Sequence, residues 1–282
     1  MARFLLPLLA RLRLLAADGR RPVLLLNAPV GAGKTTISGL LSRLAAQQGL
    51  RLAVASIDDA YLPWQERQGA MAGNPFGVTR VPPGSHDPEL LCRRIDHWRA
   101  GGTLQLPRFD KTLRDGEGDR AAGVRLDADA MLLEGWLLGC EPLGPELESA
   151  LGRLESQDLP ADLRLRPQER AWLPRWDQAL WAYQPLWARS DGLWLLRPQR
   201  WDLPRRWRFQ AEARQRRQGA PACQRPRCIS WCVPASAACL HGCTRIPCCN
   251  GRRWSARSTG VAAWWKPVSR TADAGMEPGV ER

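Results

Sequence analysis

Lysine is nearly missing from this chain. It stands only at Lys34, Lys111 and Lys266, so arginine supplies all the rest of the 41 basic side chains. A formal net charge of +13 would ordinarily point to a polyanionic partner such as nucleic acid. Here no stretch interleaves basic and aromatic residues as a base-stacking platform does, and an arginine bias is what a GC-rich coding sequence gives by default. No nucleic-acid partner is expected. Long apolar runs are also missing. Nothing approaches the about 18 uninterrupted apolar residues of a membrane span, so none is expected. No C-x-x-C pair occurs, which argues against a zinc ribbon. What remains is a chain of 282 residues, 44% of them hydrophobic, enough for a real core in one domain or one and a half.

The most informative stretch is Val23 to Thr36. An apolar run, Val23 to Leu26, reads as a buried parallel strand, and helical periodicity begins near Lys34. Between them, Ala28 to Thr35 spells A-x-x-x-x-G-K-T, the phosphate-binding loop with its first glycine replaced by alanine. Gly31 and Gly33 allow successive backbone N–H groups to turn inward around an anion, with Ala32 between them. The new helix adds its positive N-terminal end. Lys34 can reach the outer phosphates, the Thr35 hydroxyl can ligand Mg²⁺, and Thr36 completes the nucleotide-binding run. At Lys34 and Lys111 a compact, flexible ammonium suits the site where a guanidinium fork would not.

The flanking chain supports an α/β fold of the P-loop NTPase type, three layers with a mostly parallel sheet flanked by helices. Phe4, Leu5, Leu8, Leu9, Leu12 and Leu15 recur at helical spacing and predict a packing helix. A signal peptide is the alternative, but Arg11 and Arg13 break its apolar region. Ile37 to Gln47 continues the helix after the loop. Leu52 to Ile57 predicts a second strand that ends in Asp58 and Asp59. Ligands in such sheets sit beyond the carboxyl ends of the strands. Pro63 to Pro83 reads as irregular. A helix is expected over Pro88 to Ala100, with Asp87 as its N-cap and Pro88 at its first position. The stretches Leu106 to Lys111 and Gly116 to Arg120 read as charged loops. Ala130 to Leu133 predicts a third strand, ending in Glu134, where an acidic residue commonly orients Mg²⁺ or its water. Trp172 to Arg189 predicts a helix with an aromatic core face, Gly192 to Leu196 a fourth strand, and Trp201 to Arg217 a basic helix.

Beyond about position 218 the character changes. Seven of the nine cysteines lie there, and no apolar periodicity survives. A disulfide framework would need an oxidising compartment, where such a nucleotide-binding domain does not normally reside. The expected organisation is a domain over 1–218 and an atypical Cys- and Arg-rich tail over 219–282, mostly unstructured and consistent with GC-rich sequence read out of frame.

An ordered series of motifs resembles the D-glycerate 3-kinases of the plant and cyanobacterial type, relatives of uridine kinase, phosphoribulokinase and pantothenate kinase. The series is Ala28–Thr35, Ser56-Ile-Asp-Asp-Ala-Tyr-Leu62, Pro83-Gly-Ser-His-Asp87, Pro107-Arg-Phe-Asp-Lys111, Gly116-Glu-Gly-Asp-Arg120, Glu134-Gly-Trp-Leu-Leu-Gly139 and Trp207-Arg-Phe-Gln-Ala-Glu212. Ala60 stands where the family usually has an aromatic residue. The resemblance implies a cytoplasmic enzyme that phosphorylates D-glycerate to 3-phosphoglycerate with ATP and Mg²⁺. It implies Lys34 on the phosphates, Thr35 and Glu134 at the metal, and Asp58 as base with Asp59 as competitor. Arg80, His86, Asp87, Asp110, Lys111 and Arg120 would form the substrate pocket, and Arg208 would belong to a lid over the nucleotide. The alternatives are a phosphate-loop kinase for a nucleoside, pantothenate or sugar phosphate, or an inactive nucleotide-binding protein.

Overall fold

A computed structural model describes residues 2–29, 31–158, 161, 164–198, 203, 206–207, 209–210, 213, 254–256 and 261–266. Its centre is a sheet in which β1 (Val23–Asn27) pairs in parallel with β5 (Ala130–Gly135) on one side and β6 (Gly192–Pro198) on the other. β5 pairs in parallel with β2 (Leu52–Ser56), which gives the order β2-β5-β1-β6. Strands covered on both faces are apolar throughout, and β1 and β5 are buried along their whole length.

The two faces divide the same strands by alternation. Leu24, Leu26, Ala130 and Leu132 point to a layer made by α1 (Ala2–Ala16) and α2 (Lys34–Gln47). Val23, Leu25, Met131 and Leu133 point to the opposite layer, with α4 (Pro88–Arg99), α6 (Pro167–Ala179) and α7 (Gln184–Ala188). The expected three-layer α/β architecture is therefore present. In α1, Leu5, Leu8, Leu9, Leu12 and Leu15 are buried against β1 and α2, each contributing about 1.5–3 kcal/mol of hydrophobic stabilisation. Among the described residues no helix is long and apolar enough to cross a membrane.

Three local readings change, and one further helix forms in a stretch that carries no clear pattern. Within the stretch read as irregular, α3 (Trp64–Ala70) forms, followed by turns. The two charged "loops" are a hairpin, β3 (Leu104–Asp110) and β4 (Asp119–Leu126), a separate antiparallel sheet. The stretch over 143–167 includes α5 (Leu147–Glu155). The expected helix over Trp172–Arg189 is broken into α6, a 3₁₀ turn (Leu180–Tyr183) and α7. Pro185, which lacks an N–H, sits at the start of the last piece. Its aromatic face is core as expected, with Trp176, Tyr183 and Trp187 buried. In the tail, β7 (Trp254–Ala256) and β8 (Val261–Lys266) are described, and β8 pairs antiparallel with β6. The remaining positions of 219–282 lie outside the described residues.

Candidate active site

The carboxyl ends of β1, β5 and β2 lie side by side and bring the phosphate loop, Glu134 and Asp58 to one edge of the sheet. The chain leaves β1 at Asn27, whose buried amide donates to the Leu138 carbonyl at 2.6 Å, while Ala28 N–H donates to the Gly135 carbonyl at 2.9 Å. These two bonds tie the phosphate loop to the segment after β5. Gly31 and Gly33 hold φ of 84° and 81°, which is why glycine is needed at both positions. Gly33 is also the N-cap of α2 and brings no side chain to cap it, so the first N–H groups of the helix stay available to an anion. Lys34 folds back over the loop and donates to the carbonyls of Ala28 (3.2 Å) and Pro29 (3.3 Å). Thr35 and Thr36 occupy the first turn of α2 and are exposed.

Strand order decides what faces the loop. Because β5 lies between β1 and β2, Glu134 sits in register with Leu26 on one side and Ser56 on the other. Its carboxyl is buried, and Oε2 has no hydrogen-bond partner. Burial raises its pKa, against the pull of Lys34, and the Asp58 charge pushes the same way. A buried carboxyl beside Lys34 with one oxygen unpartnered is a fit for Mg²⁺ or its water. Among the described residues no cluster of three or more His, Cys, Asp or Glu forms a dedicated cage. Mg²⁺ commonly needs none, since phosphates and water supply most of its ligands.

Asp58 and Asp59 part company. Asp58 Oδ1 accepts from Tyr61 Oη at 3.1 Å, and Oδ2 accepts from Lys111 Nζ at 3.1 Å. Burial raises this carboxyl, but the charge and hydrogen bond of Lys111, together with the charge of Lys34, hold the group below its ordinary range. Its side chain keeps 33% exposure, so an acceptor hydroxyl can reach it. Asp59 instead accepts from Arg108 (2.8 Å) and from the Phe109 backbone (3.3 Å), which fastens the hairpin to the end of β2. That arrangement gives Asp59 an anchoring contact and leaves Asp58 the more accessible of the two carboxylates.

The remaining expected residues sort by what they touch. His86 is buried, stacks on Tyr61 at 4.4 Å and 18°, and leaves Nε2 unpartnered. Burial lowers its imidazole to about 4, so it is neutral near pH 7. Arg80 also has a buried Nη1 without a partner, beside Val81, which holds a φ of 93° that a β-branched residue rarely adopts. Asp87 caps α4 through Leu90 N–H (2.9 Å) and pairs with Arg120 (2.9 Å), which also donates to the Tyr61 carbonyl (2.8 Å). These two brace the pocket wall. Asp110 closes its own turn, accepting from Thr112 N–H (2.8 Å) and Oγ1 (2.6 Å). Arg208 lies outside the described residues.

Sequence reasoning missed Arg67, Tyr61 and Tyr183. Arg67 is buried and donates to the carbonyls of Leu62 (2.9 Å), Glu117 (3.0 Å) and Gly118 (2.6 Å), while its guanidinium lies over Phe109 at 5.0 Å. It therefore pins the G-E-G-D-R turn. Gly118 has φ 77°, and a Cβ there would stand 2.4 Å from the Phe109 ring. Gly118→Ala is expected to destabilise the fold by about 1–3 kcal/mol, read as a lowered urea midpoint. A signal for Arg67 existed only in its place, one helical turn after Pro63, which no periodicity marks as buried.

No protein-family model matches the chain. It is 29% identical over 206 residues to "D-glycerate 3-kinase, chloroplastic" of Arabidopsis thaliana, covering 68% of this chain and 41% of that protein. The solved D-glycerate 3-kinase of Cryptococcus neoformans var. grubii superposes with a TM-score of 0.69 at 29% identity, over 86% of this chain and 87% of that one. The chain is thus similar to two D-glycerate 3-kinases, one by sequence and one by structure. It spans about two fifths of the length of the Arabidopsis kinase. The solved YGR205w protein, at 22% identity and a TM-score of 0.59 over 86% of this chain and 83% of that one, shares the fold. The α/β architecture is thus common to this chain and the two solved structures.

Proposed function

We propose that the chain transfers the γ-phosphoryl group of ATP to a hydroxyl of D-glycerate, giving 3-phosphoglycerate. The observation that carries this reading is Asp58, held ionised by Lys111 within the influence of Lys34 of the phosphate loop, with two buried and unpartnered side-chain nitrogens, Arg80 Nη1 and His86 Nε2, that a ligand can satisfy. A small hydroxy acid answers that arrangement: its carboxylate satisfies the donors, and its hydroxyl meets Asp58. The two D-glycerate 3-kinases named above support the choice of acid.

Each residue then has a task. The loop N–H groups and Lys34 hold the phosphates of ATP. Thr35 and Glu134 would hold Mg²⁺ and its water, and the metal neutralises charge on the phosphates. Asp58 orients the acceptor hydroxyl in line with the γ-phosphorus and accepts its proton. Lys111, 61% exposed, keeps Asp58 ionised and can turn toward the transferring group. Tyr61 fixes the Asp58 rotamer. The kinase unit is taken as 1–218, with Arg208 near its end closing over the nucleotide.

The test is ADP release measured with ATP, Mg²⁺ and a panel of D-glycerate, nucleosides, pantothenate and sugar phosphates. D-Glycerate is expected to exceed the others in kcat/KM by about 10²-fold or more, because buried donors built for one acid are left unpaired by the wrong acceptor. An equal or better rate with another acceptor would overturn the assignment.

A further inference from the structure

Tyr183 lies in the turn between α6 and α7, far in sequence from the site motifs, yet its hydroxyl touches the Pro83–Asp87 motif. It is buried, accepts the Gly84 N–H at 3.0 Å, and stands 3.0 Å from His86 Nδ1. A phenol oxygen can accept through its lone pairs but has one proton to give. With the Gly84 N–H on its acceptor side, that proton needs a partner, and Nδ1 is the acceptor beside it among the described residues.

Ser85 Oγ also lies 3.3 Å from Nδ1, but its own proton goes to the Pro82 carbonyl at 2.6 Å. Ser85 could therefore only accept from Nδ1. A protonated Nδ1 would satisfy this long contact and strand the Tyr183 O–H in the core. A buried donor left without an acceptor is costly, whereas an accepting lone pair on a hydroxyl that already donates is not.

The geometry points to Tyr183 as a positioning residue that fixes His86 in the tautomer with Nδ1 accepting and Nε2 protonated, so that Nε2 presents a neutral hydrogen-bond donor to an acceptor oxygen of the substrate. The substrate half of this inference rests on the proposed hydroxy-acid pocket, and the tautomer half does not. Stacking on Tyr61 fixes the ring plane, and the Tyr183 contact fixes which nitrogen carries the proton. A neutral donor can hold a substrate oxygen without adding another cation to Lys111 and Lys34 beside Asp58.

The test uses the full chain labelled with ¹⁵N-histidine and observed by long-range ¹H–¹⁵N correlation near pH 7, without ATP or acceptor. The signals of His86 are identified among the three histidines by their loss in His86→Gln. Nδ1 is expected to appear unprotonated and Nε2 protonated. In Tyr183→Phe, which keeps the ring packed on Trp187, the two signals should move toward a tautomer mixture. The acceptor KM should rise about 10-fold with kcat little changed, the effect of misorienting one donor to a charged oxygen. A protonated Nδ1 in the unsubstituted chain, or an unchanged spectrum in Tyr183→Phe, would overturn the assignment. If Tyr183→Phe does not fold, the unsubstituted spectrum alone decides. Because the spectra need no turnover, a failed acceptor panel with the expected tautomer would sink the glycerate assignment and leave the role of Tyr183 standing.

Discussion

Replacing Asp58 by Asn is expected to lower kcat by about 10²- to 10⁴-fold while ATP still binds, the range for losing a general base. The amide is nearly isosteric and can still take the Tyr61 hydroxyl bond, so the fold should tolerate it. What it loses is the charge that Lys111 balances and the ability to accept a proton. A carboxylate held below its ordinary range is a weak base in the ground state. That suits a loose phosphoryl-transfer transition state, where the hydroxyl proton moves late and orientation matters more than basicity. The pH profile gives a second reading. Lys111 lowers the Asp58 pKa, so Lys111→Met should raise it, and the acidic limb of kcat should then move to higher pH. Asp59→Asn serves as the contrast. Its loss frees Arg108 and the hairpin, so it should lower stability more than it alters the pH profile. Near-normal turnover in Asp58→Asn, measured by coupled ADP release, would remove Asp58 from the mechanism.

Lys34→Ala is expected to lower kcat/KM for ATP by about 10²- to 10³-fold, with weaker nucleotide binding in calorimetry. The ammonium now rests on the Ala28 and Pro29 carbonyls of its own loop. Those bonds place it over the space that the curled loop encloses, so phosphate oxygens need only replace carbonyl oxygens as its acceptors. Lys34→Arg should not restore activity. The guanidinium fork is planar and longer, and the loop supplies carbonyls at the spacing of a point charge. Unchanged ATP affinity together with unchanged turnover in Lys34→Ala would remove the phosphate-loop reading.

The sequence revealed the site's parts more readily than their arrangement. Ala28 to Thr35 was legible because the backbone geometry it needs restricts residue choice so sharply. The carboxyl-terminal strand ends were legible from apolar runs that stop at Asp58 and Glu134. Strand order was not. Nothing along the chain says that β5 inserts between β1 and β2, yet that insertion puts Glu134 next to the loop and Asp58 one strand away. The hairpin was hidden because β4 is exposed along much of its length and lacks the apolar alternation that marks a half-buried strand. Asp58 and Asp59 could not be ranked from adjacency. Their roles separate only when Lys111 and Arg108, about fifty residues on, arrive from the same hairpin. Tyr183 was read correctly as core, but periodicity reports where a ring is buried and not what its hydroxyl does.

The pairing of β8 along β6 has a practical consequence for work on the isolated kinase unit. β6 would otherwise be the outermost of the parallel strands, and its free side would offer a row of unpaired N–H and C=O groups next to Leu193, Trp194 and Leu196. Such a border is a template for a second chain. A chain shortened at 218 would keep every residue of the proposed site and lose the segment that occupies this border. Self-association, rather than lost chemistry, is then the first thing to look for in that shortened protein.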